Sequence, residues 1–283
     1  MQKAYNYNWD TSYWNHIERN IGHVTYEEQE LLRTSPIGIF GVGGLGGLVA
    51  EQLVRSGCER LVILDNDKFD ESNLNRQICT REHLNQYKVD VLQNRLQDIN
   101  PNVRIKKFYK VSINNVGNLL EEIKIVALTL DDPFGSIIIA RKCREKNIPI
   151  VESWGIPYLW AWWFTRDSID FETCYNLDTQ SIPSDHLNEI ELTNYGSLFS
   201  RLCQFPGIEF MYDRQKGMFE NMKNGEVSFR SFAPFIGICA SNLTKEIIFV
   251  GLLQIKSMVF APRVKGYDYI RDKIIDFVIK LDE

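Results

Sequence analysis

Gly41, Gly43, Gly44, Gly46 and Gly47 crowd the stretch GVGGLGG. Three of them, Gly41, Gly43 and Gly46, fit the spacing G-x-G-x-x-G, and the other two strip further side chain from the turn. Backbone N–H groups with no neighbouring Cβ approach a phosphate closely, and a helix that opens here adds the positive end of its dipole. Asp65 closes the next apolar run, where a carboxylate accepts hydrogen bonds from a ribose. Arg76 then falls in the following loop, and Lys88 opens the next helical segment. A dinucleotide pyrophosphate, with about two negative charges, is held by glycines and a helix dipole, whereas a triphosphate, with about four, calls for side-chain cations and Mg2+. Arg76 and Lys88 therefore favour a triphosphate.

The elements that must position these residues are visible up to about residue 153 as short apolar runs alternating with helix-period segments, the pattern of a parallel sheet with crossover helices. Strands are expected at 37–40, 60–65, 103–108, 124–130 and 148–153. Helices are expected at 45–55, at 85–98 with Val89, Leu92, Leu96 and Ile99 on one face, and at 133–146. The last begins well, with Asp132 as its cap and Pro133 at the first helical position. After Gly155 the character changes. PYLWAWWFT reads as a strand feeding an antiparallel extension, 175–207 is polar and irregular, a helix covers about 234–254, and YDYIRDKIIDFVI has mixed periodicity. WAWWF fits a strand packed in the core or a dimer interface somewhat better than the lining of an acceptor pocket.

In this order, GVGGLGG, LVILDND, SNLNRQ, YKVDVLQNRLQDINP and TLDDP resemble the ThiF/MoeB family, the ubiquitin-activating-enzyme-like adenylyltransferases. The resemblance runs from about Arg19 to Gly155 and extends weakly to the helix near 234–254. It implies an α/β, Rossmann-like doubly wound sheet, mostly parallel, with an antiparallel extension in the C-terminal half. Residues 1–283 would form one domain, with 1–155 binding ATP and 156–283 serving the substrate and the dimer. The implied chemistry is attack of a substrate carboxylate on the α-phosphate of ATP–Mg2+, giving an acyl-adenylate and pyrophosphate. By the same resemblance Gly41, Gly43, Gly44 and Gly46 lie under the phosphates and Asp65 holds the ribose. Asp67, Asn73, Arg76, Gln77, Lys88, Asp131 and Asp132 surround the nucleotide. Arg76, Lys88 and Arg19 supply catalytic charge, Arg19 (in ERNIG) reaching the γ-phosphate of a neighbouring subunit. Asp131 is the expected Mg2+ ligand, because Asp132 is the better helix cap. In-line displacement at phosphorus needs positioning and neutralisation more than a protein nucleophile, so this set suffices.

Departures from the family pattern narrow the expectation. Cys58, Cys79, Cys143, Cys174, Cys203 and Cys239 contain no C-x-x-C pair, so neither structural zinc nor a disulfide framework is expected. No cysteine lies in the loop DTQSIPSDHLNEIELTN, where relatives carry a thioester-forming thiol; Cys203 is the nearest downstream, on an apolar stretch more suited to an inert thiol. The expected acceptor is a carboxylate-bearing peptide, a small-molecule acid, or a ubiquitin-like or sulfur-carrier C-terminus. A formal net charge of −5 and the acids Asp167, Asp170, Glu172, Asp178, Asp185, Glu189 and Glu191 disfavour nucleic acid, and with it a tRNA-modifying dehydratase of the same family. The apolar run from Phe235 is interrupted by Asn242, Lys245 and Glu246, and the N-terminus lacks an apolar signal core, so a cytoplasmic protein without a membrane partner is expected. APFIGICASNLTKEIIFVGLL resembles the family's helix packed at a two-fold interface, which implies a homodimer. An NAD(P)-dependent oxidoreductase would share the glycine turn but leave Arg76, Lys88 and Asp131 without a joint purpose. A non-catalytic nucleotide fold would leave that charged set unused.

Overall fold

The computed structural model describes residues 7–189 and 195–281; Glu191 and the two ends of the range 1–283 lie outside them. Nine strands occur among the described residues: β1 (Ile37–Phe40), β2 (Arg60–Leu64), β3 (Arg104–Phe108), β4 (Ile125–Leu128), β5 (Ile150–Glu152), β6 (Tyr158–Leu159), β7 (Trp162–Phe164), β8 (Arg263–Asp268) and β9 (Lys273–Val278). The main sheet has the order β3-β2-β1-β4-β5-β7. Its first five strands are parallel and β7 joins β5 antiparallel. The smaller sheet, β6-β8-β9, is antiparallel. The architecture is therefore α/β with a doubly wound, mostly parallel sheet and antiparallel additions from the second half, as the sequence pattern predicts.

Helices α1 (Thr11–Ile17), α2 (Tyr26–Thr34), α3 (Gly44–Arg55), α4 (Lys88–Ile99), α5 (Val116–Leu119) and α6 (Pro133–Lys146) belong to the first half. The second half adds α7 (Phe171–Cys174), α8 (Tyr195–Cys203), α9 (Ile208–Tyr212), α10 (Met218–Lys223) and α11 (Ala233–Lys245). Successive strand residues face opposite ways, so the sheet divides the apolar residues into two cores. On one face Ile37, Ile39, Ile63 and Ala127 meet Val49, Leu53, Leu92 and Leu243 of α3, α4 and α11. On the other Phe40, Val62, Leu64 and Ile150 meet Ile137, Ile138 and a group of aromatic side chains.

Three elements of the second half take a form more particular than the sequence pattern gives. PYLWAWWFT is split: Tyr158 and Leu159 pair with β8, whereas Trp162 to Phe164 turn back to β5. YDYIRDKIIDFVI becomes one strand end, a turn and β9; its buried inward residues Ile275 and Ile279 lie against the aromatic core. The helix expected near 234–254 starts with Pro234 in its first turn and continues beyond Lys245 as a π-helical stretch, Glu246–Leu252. Ala233–Leu252 is long and apolar enough to cross a membrane. Here its inward residues Cys239, Ala240, Leu243, Ile247 and Val250 are buried in the fold.

Candidate active site

The glycine turn joins β1 to α3, and Gly43 is the residue before the first turn of that helix. Two glycines are bare by steric necessity. Gly41 has φ +91° and a Cβ there would lie 2.3 Å from the Thr129 carbonyl oxygen; a Cβ on Gly46 would lie 1.9 Å from the Gly41 oxygen. Gly43 is different: the nearest atom to its hypothetical Cβ is Gln77 Nε2, at 3.8 Å. Close packing therefore accounts for Gly41 and Gly46, while the free space over Gly43 leaves its N-terminal helix position open to an anion. Thr129, unnoticed in the sequence, anchors the turn by donating from Oγ1 to the Gly41 oxygen at 2.6 Å.

Asp65 lies just past β2 and is buried. Its Oδ2 accepts from the Val42 N–H at 2.8 Å and its Oδ1 from the Asp67 N–H at 2.9 Å. The carboxylate thus fixes the turn against the end of β2, and each oxygen retains a further lone pair for a ribose hydroxyl. Burial raises the Asp65 pKa from the ordinary carboxylate range, opposed by nearby Lys88 and the two backbone N–H groups. Lys88, first residue of α4, is itself buried and donates to Asp67 Oδ2 at 2.7 Å. Its charge stays beside the phosphate turn because Asp67 compensates the desolvation.

Asn73 is buried in the loop after β2; its carbonyl accepts from the Arg76 and Gln77 N–H groups at 3.1 and 2.9 Å. This tight turn brings the Arg76 stem against Gly44, where a Cβ would find Arg76 Cγ at 3.4 Å. The guanidinium donates to the Ser72 carbonyl at 2.9 Å and to Asn75 Oδ1 at 2.7 Å, partners that a triphosphate can replace. Gln77 Oε1 is buried without a hydrogen-bond partner. Asp132 caps α6 by accepting from the Phe134 N–H at 3.1 Å. Asp131, its neighbour, is exposed and makes no hydrogen bond or ion pair with a described residue. No group of three or more potential metal-ligating side chains occurs among the described residues. A lone open carboxylate still fits Mg2+, which binds through one or two carboxylates together with substrate phosphates.

Arg19 is not brought to this site within the chain. It is exposed in a short 3-10 segment, Glu18–Asn20, whose Asn20 donates to the Ser56 carbonyl at the far end of α3. The length of α3 puts that end about 18 Å from the glycine turn. Cys203 is exposed, and partial burial raises its thiol pKa rather than favouring the thiolate. Sequence reasoning missed how the second half closes the crevice. Ile236 of α11 touches both the Gly44 and Gly155 positions: a Cβ on either would lie 3.5 or 2.2 Å from its side chain. Asn75 donates to the Ser231 carbonyl at 3.0 Å. These contacts join residues so far apart along the chain that no spacing announces them.

Comparison with known proteins gives this arrangement a family. The ThiF family matches residues 17–281. The chain is 31% identical over 144 residues to the tRNA threonylcarbamoyladenosine dehydratase of Bacillus subtilis (strain 168), covering 49% of this chain and 56% of that protein. It is 28% identical over 151 residues to ubiquitin-like modifier-activating enzyme 5 of Drosophila persimilis, covering 49% of this chain and 39% of that protein. The chain thus spans only about half, or less, of the length of these curated relatives. Among solved structures, PaaA is similar with a TM-score of 0.66 and 19% identity, over 96% of this chain and 85% of that one. The E. coli MccB structure with ATP has a TM-score of 0.65 and 16% identity, over 98% of this chain and 73% of that one. At such identities the likeness is one of fold.

Proposed function

Because the chain belongs to the ThiF family, we propose that it is an ATP-dependent adenylyltransferase that activates a substrate carboxylate. The observation that carries this reading is the meeting of the open Gly43 position, the Lys88 ammonium and the Arg76 stem at the C-terminal ends of β1 and β2. Ligands of doubly wound sheets occupy that crevice.

In the proposed reaction a carboxylate oxygen of the acceptor attacks the α-phosphorus of ATP in line with the bond to the β-phosphate. The new C–O–P linkage forms as the bond to pyrophosphate breaks, and pyrophosphate leaves with the electron pair. Gly43, Gly44 and the start of α3 hold phosphate oxygens with backbone N–H groups, and Asp65 takes the ribose. Lys88 and Arg76 exchange Asp67 and the Ser72 carbonyl for phosphate oxygens, neutralising charge that grows on the leaving group. Asp131 would hold Mg2+, which when bound supplies further neutralisation. Asn73 and Gln77 keep the Arg76 turn in place. Arg19 serves the crevice of a second copy in a homodimer, since its own crevice is out of reach.

The acceptor we favour is a peptide or small-molecule acid rather than a ubiquitin-like C-terminus. The raised Cys203 pKa and the lack of a cysteine in the loop before it argue against a relay through a protein thioester. Six free cysteines suit a reducing, cytoplasmic setting. ATP–pyrophosphate exchange across carboxylates tests the reading: exchange driven by a peptide or small acid supports it, and exchange only with a diglycine-ended protein would move the acceptor to the ubiquitin-like class. The Bacillus subtilis relative favours a second reading, dehydration of a tRNA-bound carboxylate. A shift of bulk tRNA on a gel at moderate salt would establish that reading instead.

A further inference from the structure

Outside the nucleotide crevice, one buried carboxyl group has no cation to pair with among the described residues. Glu152 ends β5 and is 8% exposed. Its Oε1 accepts from the Tyr175 hydroxyl at 2.6 Å and from the Trp154 indole N–H at 3.1 Å. Its Oε2 is buried with no partner among the described residues, and so is the indole N–H of Trp160, a residue 1% exposed. Both residues converge on Trp154: Glu152 through that hydrogen bond, Trp160 through an edge-on ring contact at 5.0 Å. Trp162, Tyr175 and Phe205 complete an aromatic box around Trp154.

An unpaired buried acceptor or donor loses its hydration without a replacement, so two in one box are a costly arrangement unless something uses them. Their place in the fold says what. Glu152 lies at the carboxyl end of a parallel strand, two strand spacings or about 10 Å across the sheet from β1. Ile236 of α11 bridges the loop that leaves Glu152 and the glycine turn, packing on both Gly155 and Gly44. On the adenylation reading, this puts the box beside the acceptor's path to the α-phosphate.

We propose that Glu152 and Trp160 form a specificity subsite of the adenylation site, reading an uncharged acceptor group that both donates and accepts hydrogen bonds: a carboxamide or a hydroxyl. The group accepts from Trp160 Nε1–H and meets Glu152 Oε2, and Trp154, which the box surrounds, shifts to admit it. Apolar groups of the same shape are disfavoured because they leave both protein atoms unpaired. The proposal rests on the adenylation reading.

The test uses acyl-sulfamoyl adenosines, stable analogues of an acyl-adenylate, with acyl chains of two to four methylenes ending in a carboxamide, a hydroxyl or an isopropyl group, measured by calorimetry. The expected result is binding of at least one carboxamide or hydroxyl member more than about tenfold tighter than its isopropyl isostere. Glu152→Leu and Trp160→Phe should each erase that preference while leaving the affinity for the ATP analogue AMPCPP unchanged; Glu152→Gln should retain part of it. The carboxamide and hydroxyl arms distinguish the two ligand sources. Isosteres that bind equally tightly at every length would overturn the subsite and leave adenylation standing. If no analogue binds more tightly than AMP, the adenylation reading itself fails, and the subsite with it.

Discussion

The glycine turn and the aromatic box are built by opposite means. At the turn, conformation is imposed locally: Gly41 and Gly46 tolerate no Cβ, and Asp65 and Thr129 tie down what the glycines leave loose. At the box, the Glu152 side chain bonds one near neighbour in sequence, Trp154, among the described residues. Its surroundings come from β7, α7 and the segment after α8, brought together only by the tertiary fold. The glycine turn is therefore held in shape by its own neighbours, whereas the box, assembled from distant segments, retains two atoms unpaired among the described residues.

The contrast is sharpest at the turn itself. Gly46→Ala should disrupt the fold, losing about 3 kcal/mol or more, because its Cβ meets backbone rather than a yielding side chain. Gly43→Ala should leave thermal stability nearly unchanged and weaken only nucleotide binding. Thermal melts of the two variants, with and without ATP, check this; equal melting temperatures would break the distinction between packing and phosphate glycines. Next in size, Arg76→Ala and Lys88→Met should each lower adenylation by roughly 10² to 10⁵. Arg76→Ala should keep the fold, as its partners Ser72 and Asn75 are exposed.

The box should reveal itself through pH. Burial pushes the Glu152 carboxyl from 4.5 up to about 7, with the Tyr175 and Trp154 hydrogen bonds opposing the rise. The native state thus holds a proton that the unfolded chain releases above pH 4.5, so this group makes the fold lose stability as pH rises from 4.5 to about 7. Cys174 and Tyr175 beside it are pushed upward by burial and do not titrate in that window. Arg201, from α8, faces the same region, donating to the Cys174 carbonyl at 2.9 Å. Glu152→Gln should therefore gain stability over the parent at pH 8 and lose the advantage near pH 4, as denaturant titrations at the two pH values would show. A constant difference would place the ionisation elsewhere. The smallest effect belongs to Asp131→Asn: stability within about 0.5 kcal/mol of the parent, as for an unpartnered surface group, with a raised Mg2+ requirement in the exchange assay.

Legibility in the sequence follows the same division. The strands 37–40 and 60–65, the helix 133–146 and its Asp132 cap agree with β1, β2 and α6 to within a residue, since apolar periodicity and cap chemistry act over a few neighbours. Gly41, Gly46, Asp65 and Lys88 meet where the spacing places them. Arg76 is legible by position but not by pose, because its guanidinium rests on Ser72 and Asn75. Glu152, Trp160, Thr129 and Ile236 carry no local signal: each acquires its place from a partner distant in sequence. The split of PYLWAWWFT between two sheets is hidden for the same reason, as only pairing with β8 or β5 decides which strand each residue joins.

The central claim, that a triphosphate lies along the open glycines with the nearby cations around it, is tested most directly by a crystal structure with AMPCPP and Mg2+. The account predicts phosphates against Gly43 and Gly44, the Arg76 guanidinium turned from the Ser72 carbonyl onto them, Lys88 Nζ within about 3 Å of a phosphate oxygen and the metal at Asp131. A nucleotide bound elsewhere, or one bound here with Arg76 still on Ser72 and Lys88 still on Asp67, would contradict it.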